Sequence, residues 1–277
     1  MVYSVTRNPV IMKKLLSRRT PSSAIVFACA AAVSVASLLF AAAAREARVT
    51  EVIRDVRLLV PRSGVRPAVV NENVHEGTAV RTGGDSRAEL TFPDRTLARL
   101  GENTVFSFGA GVRTYNLGSG AILMSAPPSA GTIRIASPVA TAAVSGFTVM
   151  FEEHRNGWSK FIVVHGKGSV SLKGVRTGPC RLHTGQMIAW LPHPAVCPEV
   201  LNIDLSRVLQ GNLIKGFKNR LPELDLILAD IENQRTAPPG GGLVDPTSQD
   251  LRDLNVNAHP SPPEPPPRTP RPEARPR

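Results

Sequence analysis

Between Val49 and Trp190 apolar and polar side chains alternate in short runs, each closed by Gly, Pro, Asn or Asp. This period-two pattern is that of β-strands burying one face. Ala88, Leu90 and Phe92 fall on one side of such a run, and Phe106 with Phe108, Ile133 with Ile135, and Phe147, Val149 and Phe151 repeat the arrangement. The positions between them are often Arg, Thr, Ser or Glu, so one face is expected in the core and the other in water. Thr82-Gly83-Gly84-Asp85 and His165-Gly166-Lys167-Gly168 are expected to be tight connections, because Gly tolerates the positive φ of hairpin turns. With no sustained helical periodicity in this stretch, the pattern predicts a mainly β fold: an antiparallel sandwich or jelly roll, or a solenoid-like coil.

The texture changes after Cys197. Asp204 can cap a helix over Leu205 to Phe217, in which Leu205, Val208, Leu209, Leu213, Ile214 and Phe217 share a face. Pro222 opens a second helical stretch, with Leu224, Ile227, Leu228 and Ile231 continuing the spacing to Arg235. Beyond it, Pro238-Pro239-Gly240-Gly241-Gly242 and the run from Pro260 to Arg277 hold no aromatic residue and too little apolar surface to fold, which predicts a disordered or polyproline-II tail. At the other end, residues 24 to 44 are uncharged, and Arg7, Lys13, Lys14, Arg18 and Arg19 all stand before them. That asymmetry directs the chain out of a bacterial cytoplasm. Ala42-Ala43-Ala44 offers a cleavage site, while about 20 apolar residues also suffice for a permanent anchor that keeps residues 24–44 in the membrane. Met12-Lys13-Lys14 reads as a signal-peptide start as readily as Met1 does. The chain thus divides into four segments: 1–44, signal peptide or signal anchor; 45–198, β domain; 199–235, helical extension; 236–277, tail.

Charge adds little to this picture. The formal net charge is +11, but residues 45 to 235 carry 23 basic against 17 acidic side chains, scattered along the chain. Nothing there has the clustered Lys and Arg with interleaved aromatics of a nucleic-acid groove. Nor does the chain contain a Gly-x-Ser-x-Gly elbow, a phosphate-binding loop, a His-Glu-x-x-His helix or a dinucleotide fingerprint, and no enzyme or cofactor is expected. Glu152-Glu153-His154 reads as a solvated hairpin end. Outside the export segment, which holds Cys29, two cysteines remain. In an exported chain Cys180 and Cys197 are expected to form a disulfide, worth about 3 kcal/mol for so short a loop. The alternative is a zinc site from Cys180, His183, His193 and Cys197, whose spacing would suit a tetrahedral metal. Arg81, Arg87, Arg95, Arg99 and Arg113 are candidate contacts for an anionic polymer or a protein, and Trp158 and Trp190 could stack on carbohydrate.

His75-Glu76-Gly77-Thr78-Ala79-Val80-Arg81-Thr82 and Ser86-Arg87-Ala88-Glu89-Leu90-Thr91-Phe92-Pro93-Asp94-Arg95-Thr96 open an ordered series of blocks. Arg99 to Thr104, Leu117 to Ile122, Ile133 to Ala140, Ala143 to Val149, Val163 to Val170 and Thr184 to Met187 continue it. From about Val49 to Trp190 the series resembles the FecR family. It departs at Arg95, where Gly is common, and at Phe147 after Gly146. The resemblance implies a non-enzymatic extracytoplasmic domain. Family members that regulate sigma factors carry a cytoplasmic helical domain before their membrane segment, for which 23 residues leave little room. The expectation is therefore a periplasmic or extracellular binding or scaffolding module whose partner is an envelope protein or a cell-wall polymer. The alternative is an inner-membrane-anchored signal-transduction component that works with a separate cytoplasmic partner.

Overall fold

The computed structural model describes residues 46–109, 113–154, 157–236 and 242–248. The expectations for the export segment and for the tail beyond residue 248 lie outside the described residues. Fifteen strands join in one mostly antiparallel sheet. They are β1 (Glu46–Ile53), β2 (Val56–Val60), β3 (Gly64–Pro67), β4 (Asn73–His75), β5 (Ala79–Thr82), β6 (Arg87–Thr91), β7 (Leu97–Leu100), β8 (Val105–Phe108), β9 (Thr114–Ala126), β10 (Thr132–Ala136), β11 (Ala140–Glu153), β12 (Ser159–Leu172), β13 (Cys180–His183), β14 (Gln186–Trp190) and β15 (Leu201–Asn202). The helices are α1 (Leu205–Val208), α2 (Asn212–Lys215) and α3 (Leu224–Thr236). Among the described residues no helix is long and apolar enough to cross a membrane.

The long strands turn this sheet back on itself. The first part of β9 pairs with β8 and runs parallel to β10, whereas its second part pairs with β7 and β11. Strand β11 changes partner in the same way, from β10 to β9. The sheet does not close into a barrel. Residues from both arms meet in one core: the Phe92 ring, at the end of β6, lies 5.0 Å from Phe108 and 5.0 Å from Tyr115, edge-on to each. The side chains that the alternation assigns inward, from Ala88 and Leu90 through Phe147, Val149 and Phe151, all lie in this core.

The expectation of a wet outer face fails over part of the sheet. Leu97, Leu123, Met150, Ile162, Val164 and Met187 point away from the first core and form a second one with Leu205, Val208, Leu213, Phe217, Ile227 and Ile231. The chain after residue 200 thus covers the second face, and all four residues of β7 are buried. Asp204 caps α1 as expected, its Oδ1 accepting from the Ser206 amide at 2.9 Å. The single helix expected over Leu205 to Phe217 is instead two short ones, because Gly211 is extended (φ −68°, ψ 149°) between them. The break lets Leu213 and Phe217 reach the sheet while the intervening carbonyls turn toward Arg99.

His165-Gly166-Lys167-Gly168 is not a turn. It lies inside β12, opposite a register shift in β11, with Gly166 at φ +92°. A Cβ there would stand 2.3 Å from the Gly146 carbonyl oxygen, so only Gly permits this close crossing. Arg95 adopts φ 67°, the left-handed conformation that explains why Gly is common at that position in the family it resembles.

Cys180 opens β13 and is joined by a disulfide to Cys197, 17 residues on, with the Cα atoms 5.7 Å apart. That pairing leaves no thiolates for the zinc alternative, and His183 and His193 are exposed. Among the described residues no group of three or more His, Cys, Asp or Glu is placed to hold a metal. Intact-mass measurement with and without reductant should show a two-proton difference at this pair, and reduction should lower stability by about 3 kcal/mol in urea titration. Equal masses would remove the assignment.

Candidate functional site

Two oppositely charged pairs stand directly across neighbouring strands on the covered face. Glu89 of β6 faces Arg99 of β7, and Glu152 of β11 faces Lys160 of β12. The chain beyond residue 200 buries both pairs.

Arg99 is 0% exposed, and its Nε donates to Glu89 Oε2 at 2.9 Å. Its Nη1 donates to the carbonyls of Leu213 and Ile214, at 3.2 and 3.3 Å, and its Nη2 to that of Asn219 at 2.5 Å. The guanidinium also lies 4.6 Å from the centre of the Phe217 ring. Glu89 Oε1 accepts from Asn219 Nδ2 at 2.7 Å and from Thr50 Oγ1 at 2.8 Å. Glu51 accepts from the Lys218 amide beside them. A planar five-donor fork suits this task, since it satisfies one carboxylate and three carbonyls at once. The group is an anchor that docks the α2 region on the sheet.

Lys160 is also 0% exposed. Its ammonium lies 3.1 Å from Glu152 Oε2 and donates to the carbonyls of Pro246 and Ser248, at 2.7 and 3.3 Å. Those carbonyls belong to residues 242–248, which return to the sheet after α3. His154 Nε2 lies 3.1 Å from the same Glu152 oxygen, and its ring stacks on Trp158 with centroids 3.8 Å apart. Burial pushes the Glu152 carboxyl up, but Lys160 and His154 outweigh it and hold the group below the ordinary glutamate range. The solvated hairpin expected at Glu152-Glu153-His154 is therefore corrected: its first carboxylate is an interior group.

Between the covered face and its cover lies a cleft of about 800 Å³. Met150, Ile162 and Leu213 give it an apolar part, Glu102, Glu152 and Glu153 an acidic one, and Pro246 with Thr247 comes from the returning segment. Its size is that of a ligand pocket. In a chain of net charge +11 an acid-lined cleft favours a cationic or donor-rich occupant.

The structure disperses the residues expected to make contacts. Arg81 and Arg95 are exposed, and Arg113 is half-buried. Arg87 is half-buried at the cleft, packed so closely on Gly216 that a Cβ there would come within 2.8 Å of its Nε. Three expectations are corrected. Arg99 is an interior anchor, fully buried against protein carbonyls, and Trp158 and Trp190 are each only 2% exposed, which leaves neither ring a face for a sugar. The sequence does not reveal the roles of Glu89, Glu152 and Lys160 as buried partners, nor the returning segment. Pairing the strands outward from a turn centred on Asp94 sets Glu89 opposite Arg99.

Residues 78–171 match the family model for FecR protein. The chain carries a FecR domain. Strands β5 to β12 make up that match, a narrower span than the blocks from Val49 to Trp190 suggest. Both buried charge pairs lie on FecR-domain strands, while the chain that covers them lies outside the match. No curated protein matches the chain. Two crystal structures of a putative anti-sigma factor from Parabacteroides distasonis are similar to it. One is 17% identical with a TM-score of 0.40, covering 48% of this chain and 65% of its own. The other is 18% identical with a TM-score of 0.42, covering 56% of this chain and 72% of its own.

Proposed function

We propose that the chain is a non-enzymatic binding module that acts outside a bacterial cytoplasm as part of a signal-transduction system. The FecR domain over residues 78–171 is the observation that carries this reading. The Cys180–Cys197 disulfide supports an oxidising compartment, where such bonds persist. Glu152, the most deeply buried carboxylate of the cleft, is held by Lys160 and His154, an arrangement that serves anchoring better than proton transfer. An envelope protein is the partner this reading takes. An anionic polymer is the second choice, resting on the exposed Arg81 and Arg95.

Residues 24–44 divide the reading into two forms, and intact mass of protein taken from its native envelope separates them. A mature start near Arg45 is expected for the free module, and a retained segment would establish the membrane-anchored transducer in its place. Signalling itself has a separate readout. Deleting codons 46–248 should change the abundance of a defined set of transcripts in the native host, and an unchanged transcriptome overturns the signalling role.

A further inference from the structure

Residues 242–248 fill a groove whose chemistry is specific. Val244 sits beside Ile203 in a parallel bridge, its amide donating to the Asn202 carbonyl at 2.9 Å and its own carbonyl accepting from the Asp204 amide at 3.0 Å. The segment thus adds a further strand at β15, the last strand of the sheet path. Val244 packs on the second core, and Pro246 is buried. Asp245 lies 3.9 Å from Arg207, and the Thr247 hydroxyl and amide hold its carboxyl below the ordinary range. The carbonyls of Pro246 and Ser248, two residues apart, both reach Lys160.

Lys160 sets the requirement. An ammonium has three donors, and here one goes to Glu152 and two to the segment. A buried charge robbed of two acceptors is costly, so the groove favours any extended chain that brings two carbonyls to the same place. Elsewhere the segment is held by two backbone hydrogen bonds to a short edge, by the packing of Val244 and Pro246, and by an exposed ion pair, which contributes little. The edge of β15 that the segment covers is of the kind that templates another chain.

We propose that the groove between β15 and Lys160 is an acceptor site for an extended peptide strand, filled in cis by residues 242–248 and open to a partner's strand of the same chemistry. That chemistry is an apolar residue followed by an acid, then two carbonyls at alternate positions for Lys160. Its biological meaning rests on the binding-module reading, whereas the exchange itself stands on the geometry.

The test uses the full chain with a specific protease site inserted between residues 237 and 241, so that cleavage leaves the segment attached by its contacts alone. The probe is a fluorescein-labelled synthetic peptide of residues 242–248, followed by anisotropy. The cut protein is expected to take up the peptide, and the uncut protein to bind it about a hundredfold more weakly, because the tethered segment competes at an effective concentration near millimolar. Peptides carrying Val244→Asp or Asp245→Lys should bind at least tenfold and a few-fold more weakly, respectively. These variants leave the protein untouched, so they decide the matter even where Lys160→Met, expected to lose tenfold or more, perturbs folding. A cut segment that neither dissociates nor exchanges, or a scrambled peptide that binds equally well, overturns the proposal. The transcript measurement fails or succeeds independently of either outcome.

Discussion

Replacing Glu89 by Ala should cost about 3–5 kcal/mol, the range for removing one partner of a buried ion pair. Arg99 is 0% exposed and would be left with three carbonyls and no counter-charge. Asn219 Nδ2 and Thr50 Oγ1 would lose their shared acceptor in the same step. The loss should register as a lowered urea midpoint, together with faster proteolysis after residue 212, because the anchor for the α2 region goes with it. The paired replacement Glu89→Leu with Arg99→Met removes both charges and keeps apolar volume beside Phe217, so it should recover most of the stability. That rescue discriminates between the readings of Arg99. A ligand contact would tolerate Glu89→Ala with little loss of stability, and a cost under about 1 kcal/mol would sink the anchoring role.

What was legible in the sequence was the part governed by period two. Phe106, Phe108, Phe147 and Phe151 fall inward because alternate side chains leave opposite faces of a strand, and nothing elsewhere in the chain alters that. The fate of the other face was not legible, because it depends on whether something distant lies over it. Arg99 reads as a solvated strand residue until Leu213, Ile214 and Asn219, more than a hundred positions away, bring their carbonyls to it. Trp158 and Trp190 fail as a sugar platform for the same reason: their burial is tertiary. Gly166 misled in another way. A positive φ was correctly expected, yet the conformation serves a close crossing inside a strand as well as it serves a turn. Of the candidate site, the opposed pairs Glu89 with Arg99 and Glu152 with Lys160 were present in hairpin register, whereas their burial and the returning segment were not.

Acidification should separate wild type from Lys160→Met by the sign of the stability change. In the folded wild type Glu152 titrates below its ordinary range: burial raises its pKa, and Lys160 with His154 lowers it by more. The unfolded chain therefore binds the proton first, so the carboxylate contributes stability that is present above the ordinary glutamate pKa, near 4.3, and is lost as pH falls through the depressed folded value. In Lys160→Met the principal opposing charge is gone and burial dominates, which raises the folded pKa above the unfolded one. The same carboxyl then destabilises the variant at neutral pH and ceases to do so as it protonates. Lys160→Met should accordingly cost about 3–5 kcal/mol at pH 7 and progressively less toward pH 4. Urea titrations of both proteins between pH 7 and pH 4 give the difference directly, and every carboxylate untouched by the substitution cancels from it. Parallel stability curves would show that Glu152 and Lys160 are not coupled, and would remove the electrostatic requirement that ties residues 242–248 to the sheet.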